Sequence, residues 1–278
     1  MILDAIHTYF SINSGLLKSN LKEAIKTAEV EAIHNMRVSI KRLNTLLLLL
    51  NSGKTPYLRL NGNFDYLKAI FKSSGYLRDL QVMQNLVINH EHFSVNPGFE
   101  QFLSILKREE NTAIKKFNSF SESIDLLKLS RILNLIHFHI ANLQENGLDE
   151  TIQRLKWKQF KKLRNFSNSN SQKYNLHSAR KVIKKLVYIA EMTAGNDALQ
   201  DNQQKLLKEA GRCLGEWHDR LVFCNFLQSL NKQNLKVEIE FKSVLNDLFL
   251  EKNVIKEEYI RLLAEIMQPE VLLISSTR

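Results

Sequence analysis

The chain has 278 residues, with 39 Lys and Arg against 29 Asp and Glu, and therefore a formal net charge of +10. A chain of this length can bury one large core or two smaller ones. Its positive charge favours polyanionic partners such as nucleic acid, polyphosphate or an anionic membrane face. With only nine Gly and three Pro, and with helical periodicity throughout, it is predicted to be all-α.

Three features predict a cytoplasmic protein without a membrane span. The N-terminus lacks the basic segment of a signal peptide. The longest apolar run, residues 46–50, is far too short to cross a bilayer. Cys213 and Cys224 are expected within or beside one helix, about 16 Å apart, which is too far for a disulfide.

The predicted helices of the first half follow in chain order. The first runs from the N-terminus past Ala24, and the second carries a positively charged segment and ends near residues 51–53. Pro56 suits a helix start, and Asn96-Pro97 marks the clearest break. Further helices are predicted at 64–71, from about 79 onward, at 99–117 and at 124–143.

Asn146-Gly147 is a natural helix stop and divides the chain into two predicted halves, 1–146 and 147–278. A polar loop is expected at 167–171, just ahead of a second positively charged helix. About six helices per half predict two antiparallel bundles. We expect the halves to face each other about a pseudo-two-fold axis, so that the two charged helices line one basic channel.

One signature of polar residues occurs in both halves at the same spacing. It consists of His34, Arg37, Lys41 and Arg42 in the first half, and of His177, Arg180, Lys184 and Lys185 in the second. Gly-x-x-x-Asp follows each copy, as Gly75/Asp79 and as Gly215/Asp219. Four polar positions repeating in register are hard to obtain by chance, so an internal duplication is predicted.

On a helix, each signature forms a positively charged face. The first basic stripe is His34, Arg37, Lys41 and Arg42, and the second is His177, Arg180, Lys181, Lys184 and Lys185. Apolar residues such as Ile33 and Ile183 fall on the opposite faces. Like charges one turn apart cost a helix a few tenths of a kcal/mol, and neither stripe contains an acid to offset this. A single Lys-rich helix is usually just solvated, but two copies in register favour anion binding.

The two signature segments resemble the paired motifs of the CHAD family, the conserved-histidine α-helical domain. The matching segments are 33–43 and 176–188, and 77–80 and 214–219 resemble the acidic motifs that follow each. The resemblance spans nearly the whole chain. It implies two pseudo-symmetric bundles around a basic channel that binds inorganic polyphosphate without catalysis. Asn44 and Val187 depart from the pattern, since members often have a further Arg there.

The resemblance also implies which residues line the channel. Carried over by position, they are His34, Arg37, Lys41, Arg42, His177, Arg180, Lys184 and Lys185, and Lys181 belongs to the same face. Lys158 and Lys162 are expected to extend the groove, while Trp157 is expected in the core. Asp79 and Asp219 are expected either to hold a stripe Arg or Lys in place or to be helix N-caps. Protonated His34 and His177 would donate to phosphate, so binding is expected to tighten below about pH 6.5.

The expected partner is inorganic polyphosphate, with association with polyphosphate granules in the cytoplasm. We expect no cofactor, metal, catalytic residue or membrane contact. Nucleic acid is the alternative partner, because the same charges attract DNA and RNA, although no recognition-helix motif or aromatic ladder is present.

Two other interpretations have less support. A divalent-metal site of His34, Asp79, His177 and Asp219 is opposed by the Arg and Lys residues within one turn of each His. His218-Asp219 resembles the metal-binding pair of HD phosphohydrolases, but the other His and Asp of that set are not evident at suitable spacing. Residues 238–242 match the ExExK motif of CYTH triphosphatases, but that motif belongs on a strand of a β-rich tunnel and here lies in a helical context.

Overall fold

The computed structural model describes residues 2–52, 61–89, 98–168, 176–193, 201–232 and 241–268. Every regular element among these residues is a helix, which confirms the all-α prediction. The described residues form the helices α1 (Ile2–Thr27), α2 (Val30–Leu50), α3 (Asn61–Ser73), α4 (Gly75–Ile88), α5 (Phe99–Ser121), α6 (Leu126–Ala141), α7 (Leu148–Asn168), α8 (Leu176–Met192), α9 (Asp201–Lys232) and α10 (Phe241–Ile266). Pro56, Asn96-Pro97 and residues 169–171 and 238–240 lie outside the described part, and α7 continues through Asn168.

The two helices that carry the basic stripes bury the faces predicted to be apolar. Ile33, Ile40 and their neighbours on α2 are fully buried, as are Ile183 and Leu186 on α8. α2 packs against α1, and the pair is joined by a tight turn in which Ala28 adopts a positive φ of 52°. α8 packs against α7 and α9 and also contacts α2. The stripe-bearing helices of the two halves are therefore neighbours.

The helices that follow each stripe differ between the halves. In the first half, α3 ends at Ser73 and α4 begins at Gly75. In the second half, one long helix, α9, runs from Asp201 to Lys232, with Gly215 in its interior. α9 is continuous where α3 and α4 are separate, and the internal duplication stays a prediction.

The larger hydrophobic core contains residues from both predicted halves. It gathers buried side chains of α1 to α7, and residues after the predicted boundary complete it: Leu148, Ile152, Leu155, Ile189, Met192, Phe223, Cys224, Leu227, Leu230, Val244 and Leu248. A second core lies between α7, α8, α9 and α10. Gly147 stands between α6 and α7 with a φ of 81°, a conformation that glycine adopts readily. The boundary after residue 146 stays a prediction.

Three smaller expectations have clear outcomes. Both cysteines lie on α9, buried and unpaired, as predicted. Trp157 is wrongly predicted as core, because 57% of it is exposed on α7 and the Lys161 ammonium lies 5.1 Å from its ring centre. No helix among the described residues combines the length and the apolar character that crossing a bilayer requires.

Candidate anion-binding site

The inner residues of the two basic stripes lie close enough to repel one another. Burial, followed by the nearby Arg180, Arg37 and Lys184, lowers the pKa of the Lys41 ammonium to about 8. Burial and Arg180 likewise lower the pKa of Lys184. Because Lys41 and Arg37 lie on α2 while Arg180 and Lys184 lie on α8, the two stripes converge across the contact between the halves.

We call the convergent groups the central cluster. Its members are all partly buried, and they are Arg37, Lys41, Arg78, Asp79, Arg180, Lys184 and Asp219. Five cations thus face two carboxylates in a partly desolvated space. Like charges withdrawn from water are unfavourable unless an opposite charge compensates them. The cluster therefore has the electrostatics of an anion-binding site.

Arg37 is fixed to the junction between α3 and α4. Its guanidinium lies 4.0 Å from the centre of the Phe71 ring, and its Nη1 donates to the carbonyl oxygen of Phe71 and, at 3.1 Å, to Ser74 Oγ. A Cβ added at Gly75 would lie 3.8 Å from the same Nη1. The Lys41 ammonium lies 5.5 Å from the Phe71 ring centre. Phe71 therefore supports two cations without cancelling their charge.

Asp79 and Asp219 lie inside helices, so the N-cap alternative is wrong for both. Asp79 is in the second turn of α4, and Asp219 is far inside α9. Burial raises the pKa of both carboxyl groups, whereas Arg37 lowers that of Asp79 and Arg180 lowers that of Asp219. Their position beside these arginines fits the other expectation, in which each carboxylate orients a stripe cation.

The histidines titrate at lower pH than free imidazole. Burial lowers the pKa of His34 and His177, and nearby cations lower both further. His218 packs against His177 with the ring centres 5.2 Å apart, and burial together with Arg180 lowers its pKa to about 4. The unprotonated forms therefore persist below pH 6.5 in the unbound protein, which revises downward the pH at which binding is expected to tighten.

The remaining predicted residues lie around the central cluster rather than in it. Arg42 forms an ion pair with Glu191 of α8 at 3.0 Å, and this pair links the two halves. Burial lowers the pKa of Lys185, and the nearby exposed side chains of Lys162 and Lys181 lower it further. Lys158 is exposed one turn before Lys162 on α7. These lysines form a second, more accessible positive surface on α7 and α8.

The metal alternative lacks a convergent donor set among the described residues. Where the structure describes the chain, the one group of possible ligands whose atoms converge is Glu209, Cys213 and Glu258, and it contains no residue of the stripes. Arg212 already binds Glu209 at 2.5 Å and lies 3.6 Å from Glu258. The ligand atoms of His34, Asp79, His177 and Asp219 do not form such a convergent group among the described residues.

The family model described as the CHAD domain matches residues 15–228. The chain belongs to the CHAD family. No curated protein sequence matches this CHAD domain significantly.

Solved structures share the fold of this CHAD domain. The CHAD domain from the plant Ricinus communis aligns with a TM-score of 0.69 at 17% identity, over 96% of this chain and 91% of that one. PptA from Streptomyces chartreusis aligns with a TM-score of 0.69 at 14% identity, over 94% of this chain and 98% of that one. At these identities the similarity establishes the fold alone.

The site of this CHAD domain includes residues that the signature did not single out. Arg78 enters the central cluster and is the largest charged influence on the pKa of His34. Arg78 directly precedes Asp79, as His218 directly precedes Asp219. This shared position beside the repeated Asp is the sequence feature that could have identified Arg78. Phe71, Ser74 and Glu191 carry no such signal, since their roles depend on tertiary contacts.

Proposed function

We propose that the central cluster binds inorganic polyphosphate in a basic channel between the two halves. The observation that carries this proposal is the convergence of Lys41, Arg180 and Lys184 from both stripes, where five cations outnumber the two carboxylates of the cluster. Membership of the CHAD family is consistent with polyphosphate binding at the level of the family. The outer lysines at 158, 162, 181 and 185 would continue the path of the polymer beyond the cluster.

The chemistry of the cluster suits a thin and irregular polyanion. Polyphosphate has about one negative charge per repeat and presents oxygens on all sides, so it requires cations along a groove and little else. Arginine offers a planar fork for two phosphate oxygens, and lysine a flexible point charge. A pair of unit charges 4 Å apart contributes on the order of 4 kcal/mol at an effective dielectric constant near 20, before desolvation is subtracted.

The proposal is tested with the variant Lys41→Gln/Lys184→Gln, compared with Lys115→Gln/Lys116→Gln. Both variants lose two positive charges, but Lys115 and Lys116 are exposed on α5, away from the stripes. Titration of labelled long-chain polyphosphate should show at least a tenfold loss of affinity for the first variant and less than about threefold for the second. Equal losses would mean that net charge, rather than the cluster, determines binding.

Nucleic acid is the second candidate, because the exposed lysines on α7 and α8 also attract its phosphates. Unlabelled duplex DNA, single-stranded DNA and polyphosphate should therefore compete in the same titration at physiological salt. Polyphosphate is expected to displace the label at the lowest phosphate concentration. Preference for either nucleic acid would reject the main proposal.

We also propose that binding is non-catalytic and occurs in the cytoplasm at polyphosphate granules. No arrangement of nucleophile, base and oxyanion donors stands out among the residues of the central cluster. Incubation with polyphosphate and Mg²⁺ should release no free phosphate above the rate without protein. Release that depends on Lys41 or Arg180 would contradict the non-catalytic proposal.

A further inference from the structure

Arg37 and Arg180 hold the same place in the repeated signature but are bound in opposite ways. The Arg37 guanidinium stacks on the Phe71 ring and donates to Phe71 O and Ser74 Oγ. The Nε of Arg180 is buried and has no hydrogen-bond partner among the described residues. A buried donor of a charged group is costly when it lacks an acceptor. Arg180 therefore retains hydrogen-bonding capacity that Arg37 has already used.

The difference originates in the helices that face the two arginines. When Gly75 is aligned with Gly215, Phe71 and Ser74 align with Gly211 and Leu214. Because α3 ends at Ser73, the Phe71 carbonyl belongs to its last turn and is open to an outside donor.

The continuous helix of the second half offers no such acceptors. α9 passes through Gly211 and Leu214 without a break, so the Gly211 carbonyl is used inside the helix. Leu214 has no hydroxyl to accept a bond. A Cβ added at Gly211 would lie 3.5 Å from Lys184 Nζ, so Lys184 lies directly against the bare helix at this point.

Arg180 also has the most central position among the charges of the site. It lowers the pKa of Lys41, Lys184 and Arg37 by repulsion. It lowers the pKa of Asp219 and Asp79 by attraction. An anion placed at Arg180 would therefore relieve the repulsion felt by both lysines at once.

We propose that Arg180 is the principal phosphate-binding residue of the site, whereas Arg37 holds the junction between α3 and α4 together and contributes mainly its charge. This division of roles rests on the proposed function. The Nε and one Nη of Arg180 form the side of the guanidinium that receives two oxygens of one phosphate. The Nη1 of Arg37 already donates to Phe71 O and Ser74 Oγ, so the guanidinium of Arg37 has fewer free donors for a phosphate.

The test compares Arg180→Gln with Arg37→Gln, which remove the same charge from equivalent positions. Arg180→Gln should weaken polyphosphate binding at least tenfold and leave the unfolding temperature of the anion-free protein within about 1 °C of the wild type. Arg37→Gln should weaken binding no more than about threefold but lower the unfolding temperature by about 2–6 °C, since Phe71 O and Ser74 Oγ lose a charged donor.

Charge-conserving variants separate the guanidinium fork from its charge. Arg180→Lys should still lose affinity severalfold, because an ammonium cannot replace the bidentate contact. Arg37→Lys should lose less affinity than Arg180→Lys does, and it should unfold at a lower temperature than the wild type. If Arg37→Gln does not fold, Arg37→Lys provides the comparison with Arg180→Lys.

Each outcome decides between the roles. Equal losses of affinity in the Arg37 and Arg180 variants, or a fall in unfolding temperature as large for Arg180 as for Arg37, would overturn the division of roles. If the wild-type protein does not bind polyphosphate, the proposed function fails first. Wild-type binding with equal losses would reject only the present inference.

Discussion

Lys41 carries the charge that the unbound site tolerates least among its lysines. The aromatic ring of Phe71 lies on one side of it, and Arg37, Arg180 and Lys184 surround it. None of these neighbours is an acid, and Asp219 opposes the repulsion only in part. In the absence of an anion the native state is therefore strained electrostatically at this residue, and the strain has a defined dependence on pH.

Deprotonation of Lys41 should stabilise the anion-free protein. Its pKa is about 8 in the folded state, against an ordinary value of 10.5, so between these values the unfolded chain binds more protons. The free energy of unfolding consequently rises with pH in this window. Urea titrations of the wild type and of Lys41→Met at pH 7.5 and pH 10 should show an extra gain on the order of 2 kcal/mol for the wild type. An identical pH response in the two proteins would exclude this account.

At the scale of single residues, the sequence predicts the cations better than their partners. The spacing of His, Arg and Lys placed Arg37, Lys41, Arg180 and Lys184 on two helical faces, because helical geometry depends only on local order. The anchoring of Arg37 by Phe71 and Ser74 depends on where α3 ends relative to α2. Such a contact between distant elements has no periodic signature, so sequence reasoning did not find it.

The helices opposite the stripes distinguish the two halves. The break predicted between a helix at 64–71 and one starting near 79 corresponds to the α3–α4 junction, although α4 already begins at Gly75. The same Gly-x-x-x-Asp motif in the second half lies within an unbroken helix, although glycine weakens helices. Burial of Leu214 and Phe223 along α9 contributes packing that offsets the propensity cost at Gly215.

Gly215 should therefore be replaceable with a gain in stability. A Cβ added there meets no atom within 4 Å, and its φ is ordinary, so Gly215→Ala should raise the free energy of unfolding by about 0.5–1 kcal/mol. Gly147→Ala is the matched control, since it also has open space but a φ of 81°. Chemical denaturation should show Gly147→Ala destabilised. A loss of stability in Gly215→Ala would indicate that the glycine serves a contact outside the described residues.

At the scale of the whole molecule, the positive charge is concentrated where α2 meets α8 and along α7 and α8. Residues 151–190 contain eleven Lys or Arg and no Asp or Glu. Fold class was readable from composition, since scarce Gly and Pro with recurring apolar periodicity leave little but helix. The shared core could not be predicted from the sequence, because a repeated motif indicates similar segments without showing how they pack together.

Binding of polyphosphate should depend steeply on salt. If the five cations of the central cluster displace counterions as DNA-binding residues do, affinity should fall by about 10²- to 10³-fold between 50 and 200 mM salt. In Lys41→Gln/Lys184→Gln, the slope of log affinity against log salt should decrease by about two. A slope unchanged from that of the wild type would show that these lysines do not contact the polymer.

The larger hydrophobic core joins side chains from before and after residue 146. A fragment ending at residue 146 would lack the side chains of Met192, Phe223 and Leu227, which complete its core. Apolar side chains that these residues cover would then be exposed to water. The residues before and after position 146 therefore depend on one shared interior. A chimera that replaced the residues after 146 would have to keep these buried apolar contacts as well as the cationic signature.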